Sequence, residues 1–478
     1  MKKRLTLLTL CGKLFVEESC CMEQKIVLKR KVYNKFAEWK EKYAPDYALF
    51  LKGARRVGKT TIAEEFGEKE YKSFITINFQ RANEAVKDLF VNGLMDLDYF
   101  FNVIQMQYKV KLYVRESLII LDEIQLFPQA RQALKTLLED KRYDYIETGS
   151  LAGITKKSKK AEILIPSEEY SVDMYPLDFE EFLWANGDTF TAEIIREHYQ
   201  KVKPFGQKLN KEILRRFREY MCVGGMPQAV VAFVNTKDYE RVDFAKREII
   251  TLYRNDIKEQ EEENSEYVGN ILDNIPSELA KHDSASKTNE FRFTHINKNA
   301  RLREYRGPLR WLDEAMIINV ARNTTDPSPA LTLSLDDERF KCYMMDTGLL
   351  INLSFGDGNF IDNDFYSAIL TDRLHINEGM FIENIIAQCL RANGHKIVFY
   401  VEYNEQGKLA TEIDFLIRKD RKVIPIEAKS GKEYTVRSLE KFKKKFSNKI
   451  GLQYVLHEGD IKREGEIVYF PYYIASIL

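Results

Sequence analysis

The residues with the most chemistry in their spacing lie between 53 and 60, in the run GARRVGKT. Gly53, Gly58, Lys59 and Thr60 fit the pattern G-x-x-x-x-G-K-[ST]. The glycines let successive backbone N–H groups turn onto one phosphate. Gly53, Ala54, Arg55, Arg56, Val57, Gly58, Lys59, Thr60 and Thr61 are therefore the expected nucleotide-binding residues. Lys59 is expected to reach the β- and γ-phosphates of ATP, and Thr60 to place its hydroxyl on Mg2+. The bland alternative is a glycine turn before an ordinary helix. The flanks argue against it: Ala48 to Leu51 reads as a buried strand, and a helical pattern runs on to Phe66. A helix N-terminus at that place adds favourable potential for an anion.

A second acidic constellation follows about sixty residues later, in SLIILDEIQ. Leu118 to Leu121 reads as a buried strand ending in Asp122 and Glu123. In a phosphate site the Asp orients Mg2+ and the Glu polarises the attacking water. Without the loop upstream, the same pair would be two solvated acids at a strand end. Asp144 to Glu147 is a further strand, ending in Thr148, Gly149 and Ser150. Ser150, or Thr148, is a candidate sensor of the γ-phosphate, and a plain turn using Gly149 is the equal alternative. Arg254, in YRNDI, is a candidate for closing over the nucleotide from this subunit or a neighbouring one. A surface arginine is the other reading of it.

The last hundred residues hold a different set. Glu383 lies on a helical stretch, 378 to 390, and strands follow at 397–402, 412–417 and 423–429. Asp414 points opposite to Ile413 and Phe415, while Glu427 and Lys429 share a strand face. Helix with Glu, strand, strand with Asp, strand with E-x-K and then helix is the order of a PD-(D/E)XK nuclease core. There Glu383, Asp414 and Glu427 would hold a second Mg2+, and Lys429 would stabilise the attacking water. An exposed charged hairpin is the alternative. A fold retained as an inert binding platform is another.

The elements that must position these groups are legible in outline. The chain has 478 residues, enough for about two to four domains, with 44% hydrophobic and 31% charged residues. Lys plus Arg equals Asp plus Glu, 73 each, so any nucleic-acid surface must be local. The six cysteines have no paired metal-ligand spacing, which argues against structural zinc and a disulfide framework and fits a cytoplasmic protein. No apolar run is long enough for a membrane helix. The expected division is 1–21, a disordered or non-native extension ahead of Met22; 22–185, the ATP-binding domain; 186–265, a helical lid; 266–335, a winged-helix-like module; and 336–478, the nuclease-like domain. Ala192 to Tyr220 reads as one long polar helical region, and 237–264 as a charged helix. TKKSKK at 155–160 reads as a solvated basic loop.

Taken together, GARRVGKT, LIILDEIQ, ETGS, MYPLDFEEFL, VGGMPQAV, YRNDI, KCYMMDTGLL, EGMFIENII and EIDFLI…IPIEAK resemble a family of bacterial and archaeal AAA-type P-loop ATPases with a C-terminal domain of unknown function. The resemblance spans nearly the whole chain from Met22. It implies an α/β protein: an AAA-like domain with a parallel sheet, a helical and winged-helix middle and a restriction-endonuclease-like end. It implies ATP and Mg2+ as ligands. Many relatives carry a Gly-Arg pair before the Pro-Leu-x-Phe turn; IPSEEYSVDMYPLDF lacks it, so no role for that arginine carries over. The expectation is an ATPase coupled to DNA binding or processing, acting as a homo-oligomer or with a protein partner. Its rivals are a nucleotide-switched binding module with an inert C-terminal end, and a small-molecule kinase, against which the Asp122-Glu123 pair argues.

Overall fold

The structure, a computed structural model, describes residues 28–149, 166–260, 264–280, 288–296, 298, 300–356, 361–370, 378–431 and 434–478. Residues 1–21, the basic loop 155–160 and Ser150 lie outside them. The first sheet is built from β1 (Ala48–Gly53), β2 (Ser73–Asn78), β3 (Ser117–Asp122), β4 (Asp144–Gly149) and β5 (Glu169–Met174). Among the described residues its order is β2-β3-β4-β1-β5, and every pairing is parallel. Strands of such a sheet are covered on both faces, which is why β3 and β4 are buried at every position; β3 accordingly reads as an apolar run, while β4 also buries Asp144, Glu147 and Thr148. Alternation divides them: Leu118 and Ile120 join Trp39, Ile62 and Phe66 on one face, and Ile119 and Leu121 join Phe50, Ile77 and Leu134 on the other.

Helix Lys59–Glu70 follows β1 directly, with Gly58 at its N-cap in the left-handed region, φ 101°. The long helical region expected over 192–220 is two helices, Thr191–Lys201 and Gln207–Val223. Pro204 and Gly206, the latter at φ 83°, lie in the break.

Helices Pro227–Thr236 and Tyr239–Gln260 lead into the second half. Its sheet comprises β6 (Ile318–Thr324), β7 (Leu335–Met344), β8 (Val398–Tyr403), β9 (Leu409–Lys419), β10 (Lys422–Ala428), β11 (Gln453–His457), β12 (Lys462–Glu464) and β13 (Ile467–Pro471). The order is β12-β13-β11-β10-β9-β8-β6-β7. The β6–β7 hairpin joins the C-terminal sheet, with Arg322 and Asn323 pairing in parallel with Val398 and Phe399 of β8. One core runs from Phe179 through Ile271 and Tyr343 to Phe470, because the hairpin shares its apolar face with both parts. Helices Ser265–Ala280 and Leu302–Glu314 pack before it, with the short helix Phe293–Ile296 between them in sequence.

Three of the motifs that carry the resemblance meet at one junction. A Cβ on Gly225 would lie 2.1 Å from the Leu177 carbonyl oxygen, and one on Gly348 would lie 2.5 Å from that of Val223. Gly225 N donates to Asp346 Oδ2 at 2.6 Å, and Leu177 N donates to Gly225 O at 2.7 Å. VGGMPQAV is thus clamped between MYPLDFEEFL and KCYMMDTGLL, where only backbone fits.

Candidate functional site

The phosphate loop sits at the carboxyl end of β1, the side of a parallel sheet where ligands bind. Its curvature depends on two glycines. Gly58 holds a positive φ, and a Cβ on Gly53 would lie 2.6 Å from the Met174 carbonyl oxygen. Lys59 is buried, and its ammonium donates to the carbonyls of Gly53 (2.9 Å) and Ala54 (3.0 Å). Burial lowers its pKa from the ordinary lysine value, with Glu123 and Asp122 opposing.

The register of the sheet brings the acids to the loop. Asp122 ends β3 beside Asn78, and Thr148 lies near the end of β4, between β3 and β1. Asp122 Oδ1 accepts from Thr60 Oγ1 at 2.8 Å and also from the Thr148 hydroxyl; its Oδ2 accepts from Asn78 Nδ2 at 2.6 Å. Glu123 is left-handed, φ 56°, which turns it away from the strand line and into the cavity. Its carboxylate accepts from Gln125 Nε2.

These groups line a cavity of about 900 Å3 that includes Arg55, Lys59, Thr60, Asp122, Glu123 and Gln228. Volumes of this size hold small-molecule cofactors. The chain fits Mg2+ here: Thr60 and Asp122 offer hard oxygen donors beside the loop. A neighbouring apolar cavity of about 710 Å3, lined by Leu28, Ile62, Phe74, Met174 and Val231, shares Gly58, Thr61, Glu64, Pro227 and Gln228 with the first.

Two contacts on the loop have no sequence motif to announce them. Arg30 is buried, donating to Val57 O at 3.1 Å, to Tyr175 O at 2.6 Å and to Glu181 Oε2 at 3.2 Å. Glu181 is fixed in turn by a capping box with Asp178. The Asp178-x-x-Glu181 spacing in MYPLDFEEFL is a sequence signal for that box; nothing in sequence points to its arginine. Arg55 pairs with Asp256, and Tyr253 Oη donates to Arg55 O at 3.2 Å. Both partners come from helix Tyr239–Gln260. Arg254, between them in sequence, faces outward, half-exposed, and pairs with Asp273 at 2.8 Å. It does not line the phosphate cavity.

The C-terminal residues also converge. Glu383, Asp414, Glu427 and Lys429 line one cavity of about 550 Å3, together with Glu412. Lys429 Nζ lies 2.5 Å from Glu427 Oε2, and Asp414 Oδ2 accepts from Ala428 N at 2.8 Å. Among the described residues no group of three His, Cys, Asp or Glu side chains is placed to hold a metal ion. Lys341 of β7 is fully buried, and its ammonium lies 3.0 Å from both Glu383 and Glu412. Glu383 also accepts from Tyr343 Oη and from Asn289 Nδ2. Burial alone would lower the Lys341 pKa, but Glu383, Tyr343 and Glu412 raise it well above the ordinary value. Burial, with Asp414 and Glu383, pushes Glu412 up to about 7 against the pull of Lys341.

Cys222, Cys342 and Cys389 are free and buried, and burial raises Cys222 to about 12, so these thiols are inert. No helix among the described residues is long and apolar enough to cross a membrane.

Comparison with known proteins divides along the same lines. Residues 214–358 match a domain of unknown function, DUF8612, and residues 378–474 another, DUF4143. No curated protein sequence matches the chain. Among solved structures, the Walker-type ATPase paby2304 of Pyrococcus abyssi is 15% identical over 68% of this chain and 96% of its own, with a TM-score of 0.40. AMPPCP-bound DnaA from Aquifex aeolicus is 13% identical over 60% of this chain and 77% of its own, with a TM-score of 0.23. Overlays this loose carry no argument about function. Residues 45–183 match an AAA domain, on the stretch that folds into the parallel sheet and its phosphate loop. Over that stretch the chain is similar to AAA domains, with the strand, phosphate loop and helix of a P-loop fold.

Proposed function

We propose that the chain binds ATP with Mg2+ over the phosphate loop and hydrolyses it. The observation that carries this is the meeting of Lys59, Thr60, Asp122 and Glu123 in one cavity at the strand ends. The amides from Gly53 to Thr60 and the Lys59 ammonium would hold the phosphates. Bound Mg2+, held by Thr60 and Asp122, would supply charge neutralisation on the phosphates. Glu123 would orient and polarise the attacking water, and Thr148 would read the γ-phosphate beside Asp122. The apolar cavity alongside is suited to the base.

Phosphate release from ATP is the test, with and without DNA, for wild type, Lys59→Ala and Glu123→Gln. Turnover lost in both variants, with binding kept in Glu123→Gln, is the expected result. Equal inactivity of all three with no nucleotide bound by wild type sinks the proposal.

For the C-terminal end, the ammonium of Lys341 against Glu383 favours a nuclease-like cavity used as a binding platform rather than a working nuclease. A DNA partner is part of this proposal. Its support is the basic helix Arg437–Lys445, which carries Lys443, Lys444 and Lys445 in its last turn and Ser438 at the cavity. A homo-oligomer is proposed with it: Arg254, exposed and paired with Asp273 away from its own phosphate cavity, is the arginine a neighbouring copy's phosphates would draw. Plasmid incubated with Mg2+ and ATP should stay intact; Asp414-dependent cutting would overturn the platform reading.

A further inference from the structure

The phosphate loop carries two arginines, and they are held differently. Arg56 has φ 69° and is exposed. Arg55 is gripped twice by helix Tyr239–Gln260: its guanidinium by Asp256, its carbonyl by Tyr253. Tyr253 is 2% exposed and belongs to the core of the helical region, so the grip ties the loop to that core. Arg55 lines the phosphate cavity and also a smaller one, which it shares with Glu123, Asp256 and Trp311. Its guanidinium therefore stands between the place of a triphosphate and the second half of the chain.

A phosphate and a carboxylate compete for one guanidinium, and the phosphate offers more charge and matched bidentate geometry. Asp256 is buried and has Glu123 and Glu259 as further acidic neighbours. Were Arg55 drawn to phosphate, Asp256 would be left buried among acids with its counter-ion gone, an unfavourable state that the helix relieves by moving. We propose that Asp256 is a positioning residue that holds Arg55 off the phosphates. ATP takes Arg55 from it, and the nucleotide is thereby coupled to the seat of helix Tyr239–Gln260. The inference rests on the nucleotide-binding reading above. It gives this chain its own arginine at the phosphates, which Arg254 does not supply from within the subunit. By linkage, whatever Asp256 gains from Arg55 is subtracted from nucleotide binding.

The test is titration of the full-length protein with a fluorescent ATP analogue and Mg2+. Asp256→Asn removes the competitor and is expected to tighten binding about fivefold or more. Arg55→Gln should weaken it, and the double variant should behave as Arg55→Gln alone, because Asp256 acts only through Arg55. On the wild type, amides of 239–260 should exchange hydrogen faster with the analogue bound; this readout does not depend on any variant folding. If wild type binds no nucleotide, the reading beneath the inference fails. If wild type binds but Asp256→Asn binds equally or more weakly, or exchange over 239–260 is unchanged, the coupling itself is overturned.

Discussion

Lys341 Nζ lies 3.0 Å from Glu383 Oε1, with the lysine wholly buried and the pair joining β7 to helix Glu378–Ala392. A cation is thus built into the acidic cavity by the chain itself. Lys341→Met leaves Glu383 and Glu412 without their counter-ion and is expected to cost on the order of 3 kcal/mol. Adding Glu383→Gln should restore part of the loss. Thermal unfolding of the two single variants and the double checks this. Additive losses would show that the pair is not coupled.

Arg30 connects three carbonyl or carboxylate partners on separate segments. Arg30→Met leaves Val57 O and Tyr175 O without that donor, costing about 1–3 kcal/mol for each buried group left unsatisfied. Because Val57 is part of the phosphate loop, nucleotide affinity should fall as well as Tm. A variant that loses Tm but binds nucleotide as tightly as wild type would place Arg30 outside the loop's support.

Gly225→Ala puts a methyl carbon where the Leu177 carbonyl already lies 2.1 Å from the ideal Cβ position. Both sides of that contact are backbone, so neither yields cheaply. The expected loss is about 3 kcal/mol, seen as a lower Tm, with the phosphate-loop chemistry untouched in any protein that remains folded. An unchanged Tm would refute the clamp.

Glu412 gives a pH dependence. Its folded-state pKa is raised from the ordinary 4.5 to about 7, chiefly by burial. A raised carboxyl holds its proton in the folded chain longer than in the unfolded one. Its stabilising contribution is complete below about 4.5 and is lost as pH rises through 7. Urea unfolding should therefore show stability falling between pH 5 and roughly 8, and Glu412→Gln should flatten that fall. A variant with the same slope as wild type would show that Glu412 does not titrate there.

Much of the first domain could be read from the chain. β1 and β3 stand where their apolar runs placed them, β4 covers the strand read at 144–147, and Gly58, Lys59 and Thr60 sit at the strand-to-helix turn the motif requires. The C-terminal hairpin was legible too: β9 and β10 pair antiparallel, with Asp414, Glu427 and Lys429 lining one cavity. The break at Pro204 and Gly206 had its signal in composition. The sheet that the β6–β7 hairpin joins had none, because two strands in sequence do not name the sheet they pair with.

By itself, then, the sequence determined the phosphate cradle, because its geometry is local: glycine φ values, a helix N-terminus and one lysine a few residues away. It also determined which acids end which strands, since alternation and buried runs set strand faces. Only the tertiary structure decided what those charges are paired with. Arg55 and Asp256 are 201 residues apart, and Lys341 and Glu383 are 42. Which opposite charge reaches a buried group depends on sheet register and helix packing, and a buried charge must be met by something. No spacing rule within one segment carries that information.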